Sequence, residues 1–285
     1  MFKNNFAKFL QKEKLTEEES EKVHLKKDLE MAQKVHEGLL QVEVPECPNL
    51  SIAAISKPAA KIGGDFYNFF YKNSVNLNQN EKEKGIIEYV SQHNHEINIL
   101  IGDVAGHGIA SALIMALTSG IFTKNNQNKR SVGHILNKTN TDLKAYISNT
   151  EIAYVTSLLA KINIEQKKLT IANAGHCPLI LQRGSRIDHI CADGIVLGLY
   201  ENEFYEEVTV DLQAEDRLVF YTDGIIESNN MDKHCFGIER LEQILSDQRG
   251  HSTKECLDQI CQHVEDFQGP LPIKDDQTLI VIDIH

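Results

Sequence analysis

Aspartate recurs where apolar runs of this chain end, in "IGGDFYN" (Asp65), "IGDVAGHG" (Asp103), "FYTDGIIES" (Asp223) and "KDDQT" (Asp275, Asp276). Singly, each is ordinary: Asp-Gly makes turns, and an Asp ahead of a helix caps it. As a set they describe another chemistry. Carboxylates with almost no histidine or cysteine partners suit hard divalent cations such as Mg²⁺ or Mn²⁺, which take oxygen ligands and keep water. Were these acids to converge without cations, mutual repulsion would raise their pKa values. Bare backbone at Gly102, Gly106, Gly108 and Gly224 would let a carbonyl or a substrate approach the ions.

Spacing does not bring the acids together; the elements around them must. The stretch "ILIGDVAGHGIASALIMAL" (Ile99 to Leu117) reads as an apolar strand with Asp103 at its tip, a glycine loop and an apolar helix. Short β-branched or aromatic runs predict further strands at Leu50–Ser56, Asp65–Tyr71, Ile97–Gly102, Val155–Ile164, Lys168–Ala174, Pro178–Gln182, Tyr205–Leu212, Arg217–Asp223 and Gln277–Ile284. Helical patterns cover Ile109–Lys124, Val132–Ser148, Ile238–Ser246 and Thr253–Phe267. That order is not regular βαβ alternation. It predicts an α+β domain, with helices covering a mostly antiparallel sheet system.

Ahead of it, residues 1–45 read as a helical linker or regulatory segment and 46–285 as the main domain. Lys12 to Leu40 is charged and proline-free, with a possible capping box at Thr16 and Glu19. Leu25, Leu29, Ala32, His36 and Leu39 then form a seam of only about two heptads. It serves either an amphipathic helix lying on the following domain or a dimerising, signal-transmitting helix. "VPECPN" ends the pattern with two prolines. Residues 73–96 are rich in Asn, Lys, Glu and Gln and read as a variable loop insertion, with a short hairpin arm at "GIIEYV".

Composition narrows the function. With 41 acidic and 29 basic side chains, the net charge of -12 argues against a nucleic-acid binder, which would show a basic face. The six cysteines show no CxxC pair and read as reduced thiols. The N-terminal stretch has no signal-peptide core, and no run approaches membrane-spanning length, so the expected location is cytoplasmic. Neither a Walker nor a Rossmann glycine pattern is present.

The ordered set "PAAKIGGDFYNFF", "GDVAGHGIASALIM", "NAGHCPLIL", "GIVLGL", "AEDRLVFYTDGIIESNN…FGIERL" and "DDQTLIVI" resembles the SpoIIE/RsbU-type, PP2C-like metal-dependent serine/threonine protein phosphatases, from roughly Glu30 to the C-terminus. The resemblance implies a β-sandwich flanked by helices on both sides. It implies that Asp103 bridges two Mn²⁺ or Mg²⁺ ions, that the Val104 carbonyl is a further ligand, that Asp223 and Asp275 complete the first ion and that Asp65 sits at the second. Asp276 is the neighbouring alternative to Asp275. A water shared by the ions would attack phosphorus in line with the leaving serine or threonine oxygen. His107 either fixes the glycine loop or holds a water or the leaving group. Implied substrates are phosphorylated anti-anti-sigma (STAS-domain) proteins of a partner-switching pathway, and control would come from an activator protein or from a homodimer through the N-terminal helix.

One position departs from the family pattern. The motif Gly-Gly-Asp-aromatic-aromatic-Asp ends here in Asn68. If the usual acid tunes the second ion, Asn68 weakens it; if it only supports a strand, the amide substitutes. Asn68 is also the one feature favouring the competing reading, a phosphatase-fold scaffold with weakened turnover. "NAGH" (Asn173 to His176) reads as structural support or a substrate contact, and Glu227 as a support for Asp223 or a solvated residue. A nucleophilic Cys177 lacks an acidic orienter.

Overall fold

The computed structural model describes residues 22–40, 42–71, 96–106, 108–126, 130–148, 154–201 and 203–285. His107, the Thr16–Glu19 box and the "GIIEYV" arm therefore lie outside the described residues. The chain divides into two compact units, Met1–Gln41 and Val42–His285. In the first, residues 22–40 form one helix, α1, on which Val23, Leu25, Met31, Val35 and Leu39 are exposed.

The second unit is built on two antiparallel five-stranded sheets. One has the order β1 (Leu50–Lys57), β10 (Gln277–Ile284), β9 (Arg217–Tyr221), β6 (Leu179–Arg183), β7 (Arg186–Ile190). The other runs β2 (Phe66–Tyr71), β3 (Glu96–Val104), β4 (Val155–Asn163), β5 (Lys168–Ala174), β8 (Val208–Asp211). Side chains alternate across a strand, so each sheet sends one set inward. Ile97, Ile99 and Ile101 of β3 join Leu158 and Ile162 of β4 in one buried cluster with Leu218 and Phe220 of β9 and Ile280 and Ile282 of β10. Truncating any of these to alanine is expected to cost about 2–5 kcal/mol.

The outward sets meet helices. Val219, Tyr221, Leu279 and Val281 bury against Leu241 and Leu245 of α5 (Ile238–Asp247) and Cys256, Leu257 and Ile260 of α6 (Thr253–Gln268). On the other side, α2 (Ile109–Asn125) and α3 (Val132–Ile147) cover the second sheet, with the Phe122 ring 6.5 Å from that of Phe66. The layers thus run helices, sheet, sheet, helices. Sequence marks the helix starts unevenly. Ser252 and Glu255 form a full capping box on α6, whereas α2 starts at Gly108 with no side-chain cap. The loop before α2, and not a cap, fixes where that helix begins.

The predicted strands and helices recur with ends shifted by up to about three residues. Two elements are new. β7, "RIDHI", carries charge because it is an edge strand, and its alternation is hidden. α4 (Asp223–Ile226) is a single turn directly after β9.

Candidate metal centre

Register places the acids. Phe66 pairs with Gly102 and Tyr67 with Ile101, so Asp65, one step before β2, falls opposite Asp103 near the end of β3. Both belong to the inward alternation of Tyr67 and Ile101. In the other sheet, β9 ends beside the start of β10, where Tyr221 pairs with Leu279, and the Thr222 amide donates to the Thr278 carbonyl at 3.1 Å. Asp223 follows at the start of α4, and Asp275 and Asp276 immediately precede β10. A hydrogen bond from Thr222 Oγ1 to Asp65 Oδ2, 2.7 Å, joins the two sheet ends. Each sheet therefore supplies acids to the same end of the sandwich.

The two aspartates of "DDQT" divide the work. Asp276 is buried, and its Oδ1 accepts from the Ala59 amide at 2.7 Å while its Oδ2 accepts from Gly64 at 2.6 Å and Asp65 at 3.3 Å. It pins the loop that carries Asp65. A Cβ on Gly63 would fall 2.1 Å from Asp276 Oδ2, so only glycine lets the loop close on this carboxylate. Asp275 is exposed at the mouth, with Oδ1 accepting from the Asp276 amide at 2.9 Å.

Gly64 is likewise tight, its added Cβ lying 3.0 Å from the Val104 carbonyl oxygen. That carbonyl therefore faces the Asp65 loop. Gly102, by contrast, is bare because the Phe66 ring covers it, at 2.5 Å from an added Cβ. Its role is packing within the sheet, not an approach path to the ions. Gly106 and Gly108 have φ of 96° and 84°, values that glycine adopts without strain.

Charge is concentrated here. Burial, then the charges of Asp223 and Asp275, push the Asp103 carboxyl up to about 7. Burial and Asp103 hold Asp65, only 2% exposed, well above the usual carboxylate range, against the opposing Thr222 hydroxyl. Asp223 is raised by burial and by Glu227, whose amide donates to the Asp223 carbonyl at 2.7 Å. Among the described residues, no three His, Cys, Asp or Glu side chains are drawn close enough to ligate a single ion. The donor set still fits hard cations. Its groups are anionic oxygens from both sheets that repel one another, and divalent charge would relieve that repulsion.

Sequence reasoning missed several neighbours. Thr222 is one, and its place between strand and aspartate is the only signal for it. Lys274 is another. With Gly224, Glu227, Ser228, Asn229 and Asp275 it lines a cavity of about 190 Å³ beside the acids. Asn68 alternates onto the face of Phe66 and Phe70, opposite to Asp65 and Asp103, towards the layer of α2. Cys177 borders the acids, and burial, then Asp223 and Glu227, push its thiol up to about 12, which leaves no thiolate at neutral pH. All six cysteines are free. His176 is buried, with Nδ1 2.9 Å from Thr156 Oγ1; burial pushes its imidazole down to about 4, so it is neutral.

Comparison with known proteins agrees with this architecture. The family model described as Stage II sporulation protein E (SpoIIE) matches residues 93–285. The chain is 27% identical to the phosphoserine phosphatase RsbU of Bacillus subtilis (strain 168) over 265 residues, 90% of this chain and 70% of RsbU. The SiaA-PP2C domain of Pseudomonas aeruginosa superposes with a TM-score of 0.75 at 19% identity, covering 93% of this chain and 98% of that one. RsbX, solved in complex with magnesium, superposes with a TM-score of 0.59 at 17% identity, covering 86% of this chain and all of RsbX. With acids from both sheets meeting at one end of a helix-flanked sandwich, the chain belongs to the SpoIIE family of PP2C-type serine/threonine protein phosphatases.

Proposed function

We propose that this chain hydrolyses phosphoserine or phosphothreonine on a regulatory protein of the STAS (anti-anti-sigma) type, at a centre holding two Mn²⁺ or Mg²⁺ ions. Asp103 would serve both ions, the Val104 carbonyl would be a further ligand, and Asp223 and Asp275 would complete the first ion while Asp65 would sit at the second. The observation that carries this reading is the convergence of Asp65 and Asp103 from one sheet with Asp223 and Asp275 from the other. When bound, the cations supply Lewis acidity and water acidic enough to act as a nucleophile near neutral pH. The residues supply the rest. Thr222 orients Asp65, Asp276 fixes the loop beneath it, and rigid strands keep the carboxylates from following the charge they hold. Lys274, at the cavity beside Asp275, offers a cationic contact to the phosphoryl group or to acidic residues of the substrate.

Asp275 is favoured over Asp276 as ligand because both Asp276 oxygens already accept backbone amides. The face occupied by Asn68 supports the view that its amide stands in for a strand-supporting acid, which removes the motive for the scaffold reading. RsbU carries the name phosphoserine phosphatase, in keeping with the substrate chosen here. The exposed apolar residues of α1 support a homodimer or an activator contact through that helix. The deciding experiment is hydrolysis of a phosphoserine STAS-domain protein with Mn²⁺, wild type against Asp103→Asn. Turnover should vanish in the variant; equal rates in both proteins would overturn the reading.

A further inference from the structure

His176 makes an unusual use of a buried ring. The loop before it is prebuilt: Asn173 Oδ1 accepts from the His176 amide at 2.7 Å, and Asn173 Nδ2 donates to the His176 carbonyl at 2.9 Å. Gly175, at φ 66°, turns the chain tightly against Val196. The imidazole is therefore delivered to one place. It is 8% exposed, which leaves no room for a substrate contact. Nδ1 lies 2.9 Å from the Thr156 hydroxyl. The other nitrogen, Nε2, is buried with no hydrogen-bond partner.

The Thr156 contact leads to the acids. Thr156 is the ladder partner of Asp103, and its hydroxyl lies 3.4 Å from the Asp103 carbonyl. A leucine or phenylalanine would fill the space without an unsatisfied buried nitrogen, whose desolvation costs about 1–3 kcal/mol. Packing alone thus gives no reason for an imidazole here. We propose that His176 is a positioning residue that holds Thr156 and, through its ladder pairing, the Asp103 end of β3 beneath the metal centre. The proposal rests on the metal-centre reading above. Through Thr156 the ring bears on the tip of β3. Losing it would loosen that tip and let the Asp103 carboxylate shift from its neighbours.

The test is calorimetric Mn²⁺ binding to the full chain, alongside melting temperature and turnover, for His176→Leu, Thr156→Val, the double variant and His176→Gln. Removing a group that holds a ligand in place typically weakens metal binding about 10- to 100-fold. His176→Leu and Thr156→Val should each weaken Mn²⁺ binding about tenfold, with the double variant no worse than either, since both break one link. Glutamine, which keeps a donor and an acceptor, should restore most of the affinity. Should His176→Leu fail to fold, the near-isosteric Thr156→Val carries the test alone. Unchanged Mn²⁺ affinity in folded variants, with only a lower melting temperature, overturns the positioning role and leaves the metal centre standing. Absence of Mn²⁺ binding by the wild type overturns the metal centre itself, and this proposal with it.

Discussion

Thr222 and Asp65 are 157 positions apart in the chain, yet the hydroxyl of one donates to the carboxylate of the other at 2.7 Å. This contact is where the two sheets agree on the geometry of the centre. It also favours the ionised form of the Asp65 carboxyl, partly opposing the burial and the Asp103 charge that hold its pKa well above the usual range.

Thr222→Val removes that donor without changing the shape of the side chain. We expect the fold to persist and the Mn²⁺ concentration for half-maximal phosphopeptide hydrolysis to rise about tenfold. Thr222→Ser, which keeps the hydroxyl, should behave as wild type. A metal titration of initial rates decides it, and an unshifted midpoint in Thr222→Val would remove the threonine from the site.

Asp275 and Asp276 should separate cleanly. Asp276→Asn replaces a carboxylate that accepts from three amides, so it should cost about 1–3 kcal/mol of stability. For a domain of this size that lowers the melting temperature by roughly 2–4 °C per kcal/mol. Asp275→Asn, at an exposed position, should barely move the melting temperature while turnover falls steeply. Thermal melts and rates measured on both variants check the division, and the reverse pattern would exchange their roles.

The raised Asp103 carboxyl makes a pH prediction. Its folded-state pKa of about 7 lies above the ordinary carboxylate value of 3.8, so the folded state binds the extra proton. Between about pH 4 and 7 the metal-free protein therefore loses stability from this group as pH rises. Neutral His176 works the other way, since its folded value of about 4 lies below 6.5 and stability is lost as pH falls through that window. Comparison with Asp103→Asn isolates the first effect. Without metal, the variant should match wild type near pH 4 and melt higher than it at pH 8. Mn²⁺ should stabilise wild type more at pH 8 than at pH 5. A constant melting difference at all pH values would contradict the repulsion argument.

Lys274 lines the cavity beside Asp275, and on the function proposed above it meets the substrate and not the ions. Lys274→Ala should raise KM for a phosphorylated STAS-domain protein several-fold with kcat little changed, the mark of lost substrate binding. A fall in kcat with KM unaltered would instead assign it to the chemical step.

Much of this was legible in the sequence, for reasons that differ by element. β3 and β10 announce themselves because most of both faces is buried, which demands near-continuous apolar runs such as "INILIG" and "LIVIDI", broken only by the half-buried Asn98 and Asp283. β7 was invisible for the opposite reason: an edge strand with exposed polar residues has little pattern to read. The acids were visible as types at strand ends. Their division of labour was not, because it depends on which of Asp275 and Asp276 turns inward, and adjacent residues of like chemistry carry no such label. The meeting of His176 with Thr156 beside Asp103 depends on register, which no local window contains.

The place of β10 has a further consequence. It lies downstream of every other element of the sandwich, yet it sits between β1 and β9 and brings Asp275 and Asp276 with it. A growing polypeptide can assemble the second sheet, with Asp103 already at its tip, long before those last acids emerge. On the proposal that Asp275 is a ligand, a chain lacking β10 has neither that acid nor the strand that sits between β1 and β9, and hydrolysis waits for the closing strand.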